Sequence, residues 1–215
     1  MYNTSDLSIA AYLMMKGMIL RNAYRGSSGQ FMFEFDDPDS KGVQLAIEFT
    51  NSDCAVYDNH VRNLKKKYPG VPVVSYVNTS ADVKAETDVC CTSANAVKIV
   101  KSLGVNKVIF LPDVYLAKYV ASQTDVEIIS WKGTCEVHEQ FNEEEINQIR
   151  TSNPGIKIIA HPECPPDVIN ASDFAGSTSG MIKYVKDNQP KKVMMVTECS
   201  MSDNVQVDNP NVEFI

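Results

Sequence analysis

Positive charge is scarce in this chain: 20 Lys and Arg stand against 27 Asp and Glu, three histidines complete the bases, and the net charge is −7. That balance excludes a nucleic-acid surface, because neutralising phosphates needs clustered Lys and Arg. The one basic cluster, Lys65-Lys66-Lys67, reads as the solvated end of a helix. No apolar run approaches the roughly eighteen residues of a membrane span, and Met1-Tyr-Asn-Thr-Ser-Asp-Leu7 lacks the basic and apolar regions of a secretion signal. A cytoplasmic protein without membrane or nucleic-acid partners is expected. The six cysteines, at 54, 90, 91, 135, 164 and 199, would then be free thiols or metal ligands rather than disulfides. There is no P-loop, since no Lys follows Gly180 in Gly176-Ser-Thr-Ser-Gly180, and no nucleophile elbow, which leaves a Cys-His hydrolase poorly supported.

What the chain does have falls into two patterns. Residues 1–67 predict a small α+β module. Thr4-Ser5-Asp6 can cap a helix carrying Leu7, Ala10, Ala11, Met14 and Met15 at helical spacing. Strand-like runs at 18–25 and 30–36 flank Gly26-Ser-Ser-Gly29 as a hairpin, and helices are expected around 43–49 and 55–67. Cys54 and His60 have no partner at ligand spacing and read as structural. Thr4 to Leu7, Ala11-Tyr-Leu13, Phe33, Phe35 and Asp36, and Ala46-Ile-Glu-Phe49 resemble a short phage-related domain of unknown function, which implies no activity.

From Tyr68 onward strands and helices alternate, the signature of a parallel α/β sheet. Strands are predicted at 71–77, 89–92, 107–111, 127–130, 157–160, 173–176 and 191–196, and helices at 94–103, 114–122, 142–150, 166–171 and 178–188. The break at Asn153-Pro-Gly155 divides this region into two parallel-sheet, three-layer αβα units, 68–154 complete and 155–215 truncated. A sheet stopped short should leave apolar faces uncovered.

Chemistry concentrates where strands end, the edge at which open parallel sheets hold ligands. Tyr76, Asn78, Ser93, Asp113, Cys135, His161, Glu163, Ser177, Thr178 and Glu198 all follow aliphatic runs. Helix capping accounts for Ser93 and Asp113. It does not account for Tyr76, Cys135 or His161-Pro162-Glu163, where Pro162 favours an extended backbone that would point imidazole and carboxylate to one side. Gly176 to Gly180 can be a capped helix or an anion site at a helix start. Cys90 and Cys91 share a short strand in which one must face the core. Cys135 and His138 could join His161 and Cys164 in a Cys₂His₂ zinc site of a binding module.

Taken in order, Tyr76-Val-Asn-Thr-Ser-Ala81, Val83-Lys-Ala85, Cys91-Thr-Ser-Ala-Asn-Ala96, Phe110-Leu-Pro-Asp113, Trp131-Lys-Gly-Thr-Cys135-Glu-Val-His138, Ala160-His-Pro-Glu-Cys164 and Gly176-Ser-Thr178 strongly resemble quinolinate synthase. The likeness runs from about Leu64 to Ile215. It implies a transferase of NAD (pyridine nucleotide) biosynthesis that condenses iminoaspartate with dihydroxyacetone phosphate. It also implies a 4Fe-4S cluster held by one cysteine from each of three α/β domains, of which Cys135 would be the middle one. Tyr76, Val77, Asn78, Ser93, His161, Pro162, Glu163 and Thr178 would bind substrate, with Tyr76, Glu163 and His161 catalytic. By the same likeness the first α/β domain would precede Tyr68 and the last cysteine segment would follow Ile215. The ligand set of this chain is therefore expected to be incomplete, which implies a complementing chain, an oligomer or an inactive fragment.

Overall fold

The computed structural model describes residues 1–26, 29–51 and 61–215. It divides into two compact units, Met1–Gly70 with Asn78–Thr87, and Val71–Val77 with Asp88–Ile215.

The first unit contains β1 (Tyr2–Thr4), α1 (Leu7–Met15), β2 (Leu20–Arg25), β3 (Phe31–Phe35) and α2 (Gly42–Thr50). The expected hairpin is there, with Ala23 opposite Phe33 in an antiparallel pair; Ser27 and Ser28 of its turn lie outside the described residues. β1 adds to the free edge of β3, Tyr2 opposite Phe35. At three residues it is too short to show an alternation in the sequence. α1 starts where the capping residues predict, since the Asp6 carboxylate accepts the amides of Ser8 at 2.8 Å and Ile9 at 3.0 Å. Ala10, Leu13 and Phe35 form the centre of the unit. Backbone over 61–67 is helical, whereas Cys54, His60 and the first half of the helix expected over 55–67 fall outside the described residues. A short helix, α3 (Ala81–Ala85), starts at Ser80 and was not foreseen.

The second unit holds two four-stranded parallel sheets. The first has the order β5 (Val89–Cys91), β4 (Val73–Tyr76), β6 (Lys107–Leu111), β7 (Glu127–Ser130). Val73 lies opposite Ile109, Val74 opposite Val89 and Val108 opposite Ile128. The connecting helices are α4 (Ala96–Ser102) and α5 (Val114–Ser122). Val74, Val108 and Phe110 pack with Val100, Leu116 and Val120 of these helices, while Val73, Ile109 and Leu111, one residue out of phase, are also fully buried. Burial of both sets explains why these strands read as near-continuous aliphatic runs.

The second sheet has the order β11 (Glu213–Phe214), β10 (Lys192–Val196), β8 (Lys157–Ala160), β9 (Phe174–Ala175). On one face Ile158, Ala160 and Val196 meet Ile146 and Val168, from α6 (Glu143–Ser152) and α7 (Pro166–Ala171). On the other, Ile159, Val193 and Met195 meet Met181, Val185 and Val205, from α8 (Thr178–Asn188) and α9 (Cys199–Asp208). Both faces of this sheet are therefore covered, while Ile182, Val207 and Ile215 of the same region stay exposed. α9 covers one face and Val212 closes the core beside β11, two elements the sequence does not announce. No helix among the described residues is long and apolar enough to cross a membrane.

Candidate active site and metal centre

In each sheet the strands run in one direction, so the turns after Tyr76, Cys91, Leu111 and Ser130 leave one edge, and those after Ala160 and Val196 leave another. Hydrogen bonds join residues from the two edges into one buried group.

Glu163 is at its centre, 6% exposed. It follows β8 in a turn rather than the extended segment that Pro162 suggests, for the Cys164 amide donates to the His161 carbonyl at 2.9 Å. The proline is buried in that turn. The turn, not an extended alternation, brings His161 Nδ1 within 3.1 Å of Glu163 Oε2. The Tyr76 hydroxyl donates to the same oxygen at 3.4 Å. Burial, and next the negative charge of Glu163, push the Tyr76 phenol above its ordinary range, so it stays protonated at neutral pH.

The other nitrogen of His161, Nε2, lies 3.1 Å from Ser93 Oγ. Capping does not explain Ser93 after all. The following helix begins at Asn95 without a side-chain cap, and Asn95 Oδ1 accepts the Thr92 amide at 2.7 Å instead. Asp113 does cap, its Oδ1 accepting the Leu116 amide at 2.6 Å, while its Oδ2 is buried without a hydrogen bond. Burial raises this carboxyl to about 6, against the pull of the Leu116, Tyr115 and Cys135 amides.

Cys135 sits on the loop that leaves β7. The loop is anchored at its start, where Gly133 bridges to Asp113 and its carbonyl accepts the Val114 amide at 2.7 Å. It closes through a 3₁₀ turn, His138–Gln140, with the Glu139 amide donating to the Cys135 carbonyl at 2.9 Å. That turn inserts His138, 4% exposed, into the group. The His138 ring stacks on His161 at 4.8 Å between centroids and 20° between planes. Its Nε2 lies 3.0 Å from Thr197 Oγ1 at the end of β10, and its Nδ1, 3.8 Å from Glu163 Oε2, is buried without a hydrogen bond. Burial first, and the neighbouring His161 second, hold His138 below the ordinary imidazole range, so the ring is neutral at neutral pH. The ligand atoms of Cys135, His138 and Glu163 all lie within 4.8 Å of one another.

The structure thus gathers Tyr76, Ser93, Cys135, His161, Pro162 and Glu163. Val77, 37% exposed, follows Tyr76 and donates its amide to the Cys91 carbonyl at 2.9 Å. Asn78 belongs to the other compact unit. Thr178 is exposed at the first position of α8, which Ser177 caps by accepting the Gly180 amide. The proposed Cys₂His₂ set is overturned. Cys164 is 1% exposed, packs in the apolar core, turns its sulfur toward the Val196 carbonyl at 3.4 Å, and has a thiol pushed up to about 12 by burial. Cys91 is buried and Cys90 exposed, as one core-facing thiol of the two requires. Thr197 was missed, although it obeys the rule that exposes the others: it is the first polar residue after an aliphatic strand.

The family model described as quinolinate synthetase A protein (NadA) matches residues 46–215. The chain belongs to the quinolinate synthase family. The match reaches upstream of Leu64, where the recognisable motifs begin. Quinolinate synthase 2 of Mesorhizobium japonicum is 57% identical over 174 residues, 81% of this chain and 52% of the relative. Quinolinate synthases of Xylella fastidiosa and Agrobacterium fabrum are each 56% identical over 81% of this chain, covering 49% and 48% of those proteins. The chain therefore spans about half the length of the curated relatives it matches.

Proposed function

We propose that this chain carries substrate-handling machinery of a quinolinate synthase, the cytoplasmic transferase of NAD biosynthesis that joins iminoaspartate to dihydroxyacetone phosphate with loss of phosphate and water. One observation carries the reading: Glu163 Oε2 is 3.1 Å from His161 Nδ1 and 3.4 Å from the Tyr76 hydroxyl, in a buried group that also holds a thiol. The two sheets are read as the family's middle and third α/β domains, 68–154 and 155–215.

Within this reading Glu163 accepts a proton from substrate carbon, and His161, oriented by Ser93, steadies its carboxylate. The protonated Tyr76 phenol donates to a substrate oxygen. Val77, Asn78 and Pro162 complete the substrate-binding segments by resemblance. Thr178, at the start of an eleven-residue helix, helps hold a carboxylate or phosphate where free amides and the helix dipole favour an anion.

The donor chemistry of Cys135 fits one ligand of a 4Fe-4S cluster. Cys135 supplies the only thiol of the Cys-His-Glu group found among the described residues, and a soft thiolate suits iron. When bound, such a cluster supplies a Lewis-acidic iron with an open position.

Anaerobic reconstitution of the chain with iron and sulfide, followed by assay of quinolinate from the two substrates, tests the proposal. Quinolinate should form once the segments that carry the other two cluster cysteines are supplied, in one polypeptide or as a complementing chain; Glu163→Gln should then lower the rate by about 10² or more, and Cys135→Ala should abolish it. Undiminished turnover in Cys135→Ala would overturn the assigned thiolate.

A further inference from the structure

We propose that Cys135, His138 and Glu163 together bind a single divalent transition-metal ion of the zinc or cobalt class, without inorganic sulfide. The inference shares Cys135 with the cluster reading and does not depend on it.

Three observations converge. The set offers a thiolate sulfur, an imidazole nitrogen and a carboxylate oxygen, the donor types that borderline divalent ions take. The atoms already lie within 4.8 Å of one another, against roughly 3.5 Å between ligands that sit 2.0–2.3 Å from a tetrahedral ion, so a small inward shift closes the site. The second observation is His138 Nδ1, an unpartnered nitrogen on a side chain 5% exposed, facing Glu163 at 3.8 Å. A buried polar atom with no partner is costly, and a cation gives this one its partner.

The third observation is the support behind the ligands. His138 Nε2 lies 3.0 Å from Thr197 Oγ1, and the tautomer that donates its proton to this hydroxyl leaves the lone pair on Nδ1, the nitrogen that faces Glu163. Metal-binding imidazoles are commonly fixed in this way through their second nitrogen. Glu163 is steadied in turn by the Tyr76 hydroxyl, which donates to its Oε2 at 3.4 Å. Three protein ligands leave a fourth position open, which marks an exchangeable rather than a structural site. An ion held here occupies the thiolate a cluster would need, so zinc and cluster assembly compete.

The test is titration of the chelator-treated full chain with cobalt(II) alone, under anaerobic conditions. One ion per chain is expected, with a sulfur-to-cobalt charge-transfer band in the near ultraviolet and visible bands of tetrahedral intensity, all displaced by one equivalent of zinc. Cys135→Ser should remove the charge-transfer band, His138→Ala and Glu163→Gln should each weaken binding by about tenfold or more, and Cys164→Ser should change neither. His138→Gln supplies the same comparison if the alanine variant fails to fold by circular dichroism. A charge-transfer band that survives Cys135→Ser, one that is lost with Cys164→Ser, or affinity unchanged by either His138 variant overturns the proposal. Failure here leaves the cluster reading standing, because that reading is assayed with iron, sulfide and substrates. Absence of quinolinate likewise leaves cobalt binding untouched.

Discussion

His138 and Thr197 meet across 59 residues of sequence, imidazole Nε2 to hydroxyl at 3.0 Å, with both side chains buried. The contact ties the loop that carries Cys135 to the end of a strand in the other sheet. Thr197→Val keeps the shape and removes the partner, so a buried ring nitrogen is left unsatisfied. The expected cost is about 1–3 kcal/mol, read from the urea midpoint, while Thr197→Ser should recover most of it. Equal stability of the valine variant and the parent would show that the hydroxyl does not hold the ring.

The thiols should separate by burial. Cys90 and Cys199 are exposed, Cys135 is intermediate, and Cys91 and Cys164 are buried with thiols raised to about 12, in both cases by burial first. Because the thiolate is the reactive form, native labelling with iodoacetamide followed by peptide mass mapping should mark Cys90 and Cys199 first and Cys135 next. Cys91 and Cys164 should label only in denaturant. Early labelling of Cys164 would place its sulfur outside the core and revive the Cys₂His₂ arrangement.

At Gly133 the Cys135 loop passes close to the backbone of its neighbour. A methyl group there would meet the Pro112 carbonyl oxygen at 2.8 Å, an atom that cannot swing aside as a side-chain end can. Gly133→Ala should therefore push the loop outward, costing about 1–3 kcal/mol, and should speed labelling of Cys135 two residues on. Unchanged stability and labelling would mean that the bridge to Asp113 does not position the thiol.

Much of this was readable beforehand, and the misses have physical causes. The runs 107–111 and 157–160 are strands as expected, because two buried faces write themselves as unbroken aliphatics, while 127–130, also a strand as expected, is a half-buried edge. α9, whose buried face is supplied by Val205 with Met201 packed beside it, has too few apolar positions to declare a helical period. Ser93 and Asp113 look alike in sequence, each polar and each before a helix. Only coordinates separate them: Asp113 caps, whereas Asn95 satisfies the Thr92 amide and leaves Ser93 to His161. The extended backbone that Pro162 favours does not bring His161 to Glu163; a turn makes the contact.

Asp173 gives a prediction whose sign depends on pH. It sits before β9, where its Oδ2 accepts the Ile158 amide at 2.9 Å and Arg150 at 3.0 Å, and its Oδ1 accepts Lys157 at 3.1 Å. Burial alone would raise this carboxyl, but the Ile158 amide and the two cations outweigh it and hold it below the ordinary value. A folded pKa below the unfolded one, near 3.9, means that the stabilisation is fully present above about pH 4–5 and fades as pH falls through the lower folded value. Both cations are well exposed, so the net effect is modest, about 1 kcal/mol for Asp173→Asn at pH 7. Urea midpoints of parent and variant should differ at pH 7, differ as much at pH 6, and converge below pH 4. A gap that stayed constant through pH 3 would assign the stabilisation to the shape of the side chain rather than to its charge.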